Sequence, residues 1–311
     1  MKILIIDEMH PSITPLLEEA GFEVNYRPEI NRKEILEVVG EYEGLIIRSK
    51  TPMDEPLLQE ATKLKFIARA GAGLDKIDLD YIAENNIELF HAPEGNRDAV
   101  GEHAVAMLLS LFNNLHKSDS EVRKGIWDRE GNRGEELQGK TVGVFGYGNM
   151  GQAFARRLKG FGVKVLAYDK YRENYGDENA DEASFETIQE QADILSIHVP
   201  LTDETRNFFT TKVLRGFKKP FYLINTARGE VISFDTLNET LSDGVLKGAL
   251  LDVLENEKLH TLSSAQKMSF DRLVQRDNVM FSPHIAGWTF QSYEKINQVL
   301  VAKIKDKFPL R

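Results

Sequence analysis

Arg228, Asp252, Glu257 and His284 each lie at or just beyond a short apolar run suited to a buried strand, and their types fit the removal of a hydride and a proton from a small hydroxy acid. Arg228 sits in Asn225-Thr226-Ala227-Arg228-Gly229 after the run 221–224, Asp252 and Glu257 follow 248–251, and His284 follows 279–282. A planar guanidinium binds a carboxylate through two parallel hydrogen bonds, so Arg228 suits the acid end of such a substrate. The hydroxyl must lose its proton as its carbon loses hydride, and an imidazole with an ordinary pKa of about 6.5 takes up a proton near neutral pH. A carboxylate such as Glu257 would orient that ring and stabilise its charged form.

Such chemistry needs a hydride acceptor, and Thr141-Val142-Gly143-Val144-Phe145-Gly146-Tyr147-Gly148-Asn149-Met150-Gly151 offers a place for one. An apolar run leads into G-x-G-x-x-G and then into a helical stretch, 152–158, which is the strand, turn and helix of a dinucleotide site. Gly146 allows the turn, Gly148 lets backbone approach a diphosphate, and Gly151 lets the helix pack on its strand, with the diphosphate on the helix N-terminus. A second apolar run, 163–168, ends in Asp169, whose carboxylate would accept the ribose hydroxyls and repel a 2′-phosphate, favouring NAD over NADP. Arg172 is a nearby cation that would soften that preference, and Asp169 also reads as an ordinary turn residue. Asp252 would contribute to the nicotinamide end.

The elements that must position these residues alternate between strand and helix. Runs 2–6, 22–26, 45–48, 66–70 and 87–90 read as strands, with helices at 14–20, 32–39, 54–62 and 79–85 between them. A second alternation begins at Thr141, with strands at 141–145, 163–168, 194–199, 221–224, 248–253 and 279–282 and helical pieces at 185–191, 211–214 and 235–241. Alternation of this kind predicts an α/β chain with two doubly wound parallel sheets, in which ligands bind beyond the carboxyl ends of the strands. Residues 99–117 read as one broadly apolar helix, either a core helix joining two domains or one that also packs on a second subunit. The segment 258–277 is polar and shows no evident strand.

Composition narrows the class further. The 311 residues are 41% hydrophobic and 28% charged, enough for two domains with their own cores. A formal net charge of -10 argues against nucleic acid as a partner. There is no cysteine, no signal-peptide pattern and no apolar run long enough for a membrane span, which points to a cytoplasmic protein. The seven histidines show no paired metal-ligand spacing, and a metal enzyme is discounted.

With these motifs in view, the chain resembles the D-isomer-specific 2-hydroxyacid dehydrogenases, most closely their D-3-phosphoglycerate dehydrogenase branch. The resemblance runs through Ile46-Ile47-Arg48-Ser49, Ala68-Arg69-Ala70-Gly71-Ala72-Gly73-Leu74-Asp75, the glycine fingerprint, His198-Val199-Pro200, Asn225 to Gly229, Asp252 with Glu257, and Pro283 to Gly287. It implies Arg228, Glu257 and His284 as the catalytic trio. It implies cofactor contacts from Gly146, Gly148, Asn149, Met150, Gly151, Asp169, His198, Val199, Pro200, Thr205, Thr226, Ala227, Arg228, Asp252, His284 and Gly287. Substrate contacts are implied for Arg48, Arg69, Ala72, Gly73, Arg228 and His284. Arg48 and Arg69 suit a distal phosphate and also read as inter-strand salt-bridge partners.

The resemblance further implies a Rossmann NAD-binding domain, 99–283, inserted in a flavodoxin-like substrate-binding domain, 1–98 plus 284–311 with a final helix at 289–307. A cleft between the domains would close over substrate, and two copies would pair through the cofactor domain as a homodimer. The implied activity is NAD-dependent oxidation of D-3-phosphoglycerate to 3-phosphohydroxypyruvate in serine biosynthesis. Glyoxylate or hydroxypyruvate reduction is the alternative among enzymes, and an NADH-sensing, corepressor-like binding protein the alternative outside them. Two departures stand out. Lys258 occupies the place after the catalytic Glu where the family often has Pro, and the chain ends at Arg311 without room for a C-terminal regulatory domain, so serine is expected to leave the rate unchanged.

Overall fold

The computed structural model describes residues 1–309 and divides them into two compact units, one built from residues up to Arg97 together with those from Trp288 onward, the other from Asp98–Gly287. Residues 284–287, which the resemblance groups with residues 1–98, go with the second unit, where the N–H groups of His284, Ile285 and Ala286 all bond to Asp252.

The first unit alternates β1 (Lys2–Ile5), α1 (Ile13–Glu19), β2 (Glu23–Tyr26), α2 (Arg32–Val38), β3 (Gly44–Ile47), α3 (Glu55–Glu60), β4 (Phe66–Arg69), α4 (Leu79–Glu84) and β5 (Glu88–His91). Its five strands pair in parallel in the order β2-β1-β3-β4-β5. Side chains alternate across the sheet as strand geometry requires. Leu4, Leu45, Ile47 and Ile67 enter one core, while Ile3, Ile5, Ile46, Phe66 and Ala68 enter the other. Helix starts follow local chemistry: Asn31 and Glu34 form a capping box at α2, and Asp54 caps α3.

Next, α5 (Pro93–Phe112) begins on a proline, whose fixed φ suits a first helical turn, and it is followed by α6 (Leu115–Arg123). The single helix expected over 99–117 is therefore two. Asn114 adopts φ 50°, a left-handed conformation that asparagine tolerates and that ends the first helix.

The second unit continues with β6 (Thr141–Phe145), α7 (Asn149–Arg157), β7 (Lys164–Tyr168), β8 (Asp181–Glu182), α8 (Phe185–Gln191), β9 (Ile194–Ile197), α9 (Thr211–Leu214), β10 (Phe221–Asn225), α10 (Phe234–Ser242), β11 (Leu246–Leu251), α11 (Ser264–Val274) and β12 (Val279–Phe281). Its parallel order is β12-β11-β10-β9-β6-β7-β8. The sheet has seven strands where six were expected, the extra one being the two-residue edge strand β8, too short for a sequence signal. Nor is the polar segment after Lys258 without structure: Ser263 and Gln266 form a capping box that starts α11. Leu108, Val142, Val144 and Phe154 fill the core on one face of this sheet, and Leu195, Ile197, Phe209 and Phe221 that on the other. The final helix, α12 (Phe290–Lys307), returns to the first unit, where Ile296, Leu300 and Ile304 join its core. Among the described residues no helix is long and apolar enough to cross a membrane.

Candidate active site

In the larger sheet the direction of winding reverses between β6 and β9, so the loops after these two strands flank the place where a ligand binds in doubly wound folds. Gly146 follows β6 with φ +95°, and a Cβ there would lie 2.6 Å from the His198 carbonyl oxygen beyond β9. A Cβ on Gly151 would lie 2.1 Å from the Gly146 oxygen, so α7 packs on its strand only because glycine stands there. Gly148 is different: nothing lies within 4 Å of where its Cβ would be. That open space sits at the N-terminus of α7, which Gly148 precedes and whose first turn holds no acidic residue. A helix N-terminus beside open space fits a diphosphate. Asn149 and Met150 form the start of that turn.

Asp169 follows β7 and reaches back to the same loop. One oxygen accepts the Tyr147 N–H at 2.9 Å and the other the Tyr171 N–H at 3.0 Å. Each carboxylate oxygen has a second acceptor site, so bracing the glycine turn is compatible with receiving ribose hydroxyls. Arg172 donates to the Tyr147 carbonyl, which directs its guanidinium into the glycine loop.

The ring of His198 turns inward. Its Nε2 lies 2.8 Å from Ser196 Oγ, its ring packs on Phe154, and burial pushes its pKa down to about 3, so it is neutral. What His198 offers a ligand is main chain. Val199 and Pro200 follow, and the Thr205 hydroxyl closes that turn by donating to the Pro200 carbonyl at 2.7 Å. The Thr226 hydroxyl is buried without a partner among the described residues, beside the buried Ala227.

Arg228 is presented by a turn that Asn225 shapes. The buried Asn225 side chain accepts the Ala227 N–H at 3.0 Å and donates to the Arg228 carbonyl at 2.9 Å, while Arg228 Nη1 donates to the Ala227 carbonyl at 2.7 Å. Asn225 is a residue that the sequence reading left without a role, although Asx-turn chemistry is its signature.

His284 and Glu257 meet: His284 Nδ1 is 2.8 Å from Glu257 Oε1, with both side chains about half exposed. The Glu257 hydrogen bond raises the His284 pKa above its ordinary value, against desolvation and the neighbouring Arg228 charge, which lower it. Where the family often places proline, Lys258 heads a hydrogen-bonded turn instead. Its N–H donates to Asn256 Oδ1 at 3.0 Å, and its carbonyl accepts the Thr261 N–H at 2.8 Å. Asp252 is fully buried at the end of β11 and holds the backbone of the His284 loop; Gly287 closes that loop at the limit of the unit.

In the first unit, Arg48 follows β3 and Arg69 ends the adjacent β4, where Ile47 and Arg69 are register partners. The Arg48 guanidinium lies 4.4 Å from the Trp288 ring and 5.2 Å from that of Tyr293, and Nη1 donates to the Glu8 carbonyl. Its backbone is held by the buried Asp7, which accepts the Arg48 N–H at 2.5 Å. Arg69 Nη1 donates to the Ala70 carbonyl at 3.3 Å, and the Ala72 carbonyl next to Gly73 lies 3.0 Å from His91 Nδ1. Stacking on Trp288 was not foreseen, since nothing in local sequence links β3 to the residues before α12.

A family model described as the D-isomer specific 2-hydroxyacid dehydrogenase, NAD binding domain, matches residues 105–286. The chain is 32% identical over 310 residues to a D-3-phosphoglycerate dehydrogenase of Methanocaldococcus jannaschii, covering 98% of this chain and 57% of that protein. It thus spans a little over half the length of that relative. A hydroxypyruvate reductase of Thermotoga maritima is 32% identical over 275 residues, 88% of each chain. Among solved structures, a D-lactate dehydrogenase from Aquifex aeolicus complexed with NAD and lactic acid superposes with a TM-score of 0.82 at 28% identity, over 99% of this chain and 96% of that one.

Proposed function

The chain belongs to the D-isomer specific 2-hydroxyacid dehydrogenases, and on that premise we propose that it moves a hydride between NAD and a D-2-hydroxy acid, with D-3-phosphoglycerate as the substrate. The observation that carries the reaction is the His284–Glu257 pair at 2.8 Å on the unit that holds Arg228 and the glycine loop. In this reading Asp98–Gly287 is the dinucleotide-binding domain, and the unit holding Arg48 and Arg69 the substrate-binding domain.

The roles of the residues follow from their bonds. Arg228 clamps the substrate carboxylate with its fork of N–H donors. His284 donates Nδ1–H to Glu257, which leaves Nε2 with the lone pair, so Nε2 takes the proton from the C2 hydroxyl as the C2 carbonyl forms. The glycine loop and Asp169 would hold NAD, which would supply the acceptor for the hydride leaving C2. In the reverse direction the imidazolium, held by the Glu257 carboxylate, returns the proton to the carbonyl oxygen.

Two arginines at neighbouring strand ends support a phosphorylated substrate, since a phosphate needs cations that do not titrate. Relatives named as hydroxypyruvate and glyoxylate reductases make the unphosphorylated keto acids the competing choice. Initial rates with D-3-phosphoglycerate, hydroxypyruvate and glyoxylate, for the native protein and Arg48→Ala, decide between them. We expect the substitution to lower kcat/KM for phosphoglycerate by about tenfold or more, the scale of one lost charge-assisted contact, while sparing glyoxylate. Equal effects on both substrates would remove the support for phosphate recognition.

We further propose that two copies pair through α6 and the segment after it. The apolar residues of α5, among them Ala104, Leu108 and Phe112, are spent in the core of their own unit. By contrast Leu115, Val122, Ile126 and Trp127 stay exposed, Trp127 at 79%. Four exposed large apolar side chains within residues 115–127 fit a surface that a second copy covers. Sedimentation should therefore show a dimer for the native chain and a folded monomer for Trp127→Asp; a dimer that survives this charge would place the interface elsewhere.

A further inference from the structure

Asp252 is 1% exposed, so its charge must be met by donors, and the donors that meet it form the turn carrying His284. One carboxylate oxygen accepts the Ser282 hydroxyl at 2.5 Å and the Ile285 N–H at 2.9 Å; the other accepts the Ala286 N–H at 2.9 Å. The Asp252 carbonyl accepts the His284 N–H at 2.7 Å. His284 itself sits at φ +55°, in the left-handed region. A non-glycine residue there is strained and persists only where surrounding bonds over-determine it. Four hydrogen bonds to one buried residue, three of them from backbone N–H groups, supply that constraint.

Behind Asp252 stands a residue that no motif singled out. His103 Nε2, from α5, lies 2.9 Å from Ser282 Oγ and 3.6 Å from the Asp252 carboxylate. A proton inventory sets the direction of this chain. Ser282 has one hydroxyl proton, and the competing acceptor, the Met107 thioether at 3.7 Å, is a far weaker partner than the anion at 2.5 Å. With that proton committed to Asp252, Ser282 Oγ faces His103 as an acceptor, so His103 must present Nε2–H.

We propose that His103 and Ser282 are positioning residues for the proton-transfer step: they hold Asp252 and, through it, the left-handed turn that presents His284 to Glu257 and to substrate. The charged groups that face His284 are Glu257, Arg228 and Asp252, and the one that faces His103 is Asp252. The proposal rests on reading His284 as the proton carrier, but its geometry can be tested without turnover.

The test is an NMR titration of the histidine ring signals in the full chain, with the His284 signal assigned by its loss in His284→Ala. We expect native protein and His103→Gln, whose amide nitrogen replaces the Nε2–H donor, to share one raised midpoint for His284. His103→Ala and the milder Ser282→Ala should move that midpoint down toward the ordinary value of about 6.5, as the ring slips from Glu257. Both should also lower kcat on the order of 10- to 100-fold, the scale for a misplaced reacting group, with a smaller change in KM. Folded Ser282→Ala and His103→Ala proteins with an unmoved His284 midpoint would overturn the proposal, and a His103→Gln protein that shifts like His103→Ala would overturn the assignment of the donor. A native protein that turns over no 2-hydroxy acid would count against the function above, while the titration would still decide this inference.

Discussion

His284→Ala is expected to lower kcat for the 2-hydroxy acid by about 10²- to 10⁴-fold, the range that a positioned general acid or base contributes. The Nε2 atom has no substitute at this site, because Asp252 is buried and holds the His284 loop, and Glu257 is committed to Nδ1. Binding of NAD, measured by fluorescence quenching, should fall far less than kcat, because the glycine loop and Asp169 make no use of the imidazole. Rates within about tenfold of the native enzyme would show that another group carries the proton.

Glu257→Gln separates the charge of the pair from its shape. The carboxylate raises the His284 pKa, so the ring keeps its proton to higher pH than a free imidazole. Oxidation needs neutral His284, and its rate therefore climbs as pH rises through that raised value; reduction needs the imidazolium and falls over the same interval. Glutamine preserves the hydrogen bond but removes the charge, and both limbs should slide to lower pH. Stability follows the same sign. The pair's contribution is fully present below the unfolded value of about 6.5 and is lost as pH rises through the raised folded value. Half-exposed partners keep that contribution small.

The strands that precede the candidate residues were legible because their apolar runs are plain, as in Phe221–Asn225 before Arg228 and Leu246–Leu251 before Asp252 and Glu257. Parallel strands buried on both faces must be apolar throughout, and that is a local signal. Two helical features were equally local and still passed unread: the Asn113-Asn114 break after α5, and the Ser263 and Gln266 capping box inside a polar stretch. The supports of the site were not legible in this way. His103 and Ser282 are 179 positions apart, and their contact depends on how α5 packs under β11 and β12, which no local pattern encodes. The same holds for Arg48 on Trp288, joined only by tertiary packing within their unit. At His198 the sequence does not say which part of the residue faces a ligand: the packing of Phe154 and Ser196 turns the ring inward and leaves the main chain to face the glycine loop.

Arg228→Ala is the second large effect. Two charge-assisted hydrogen bonds to a carboxylate contribute about 1.5–3 kcal/mol each, so their loss should lower kcat/KM by roughly a hundredfold or more. Arg228→Lys keeps the charge and loses the fork, and a lysine cannot reproduce the bond from Nη1 to the Ala227 carbonyl while also spanning both carboxylate oxygens. It should fall between the native enzyme and the alanine variant, with more of its loss in kcat than in KM, because a singly held substrate can rotate away from Nε2 of His284. Removing the guanidinium also removes a cation that lowers the His284 pKa, so the pH limb of Arg228→Ala should move upward, opposite to that of Glu257→Gln. A 2-hydroxy ketone, which has no carboxylate to clamp, should be turned over equally by the native enzyme and Arg228→Ala once compared at a pH away from both limbs. If the ketone suffers the same loss as the acid, Arg228 acts on the fold of the Asn225 turn and not on the substrate.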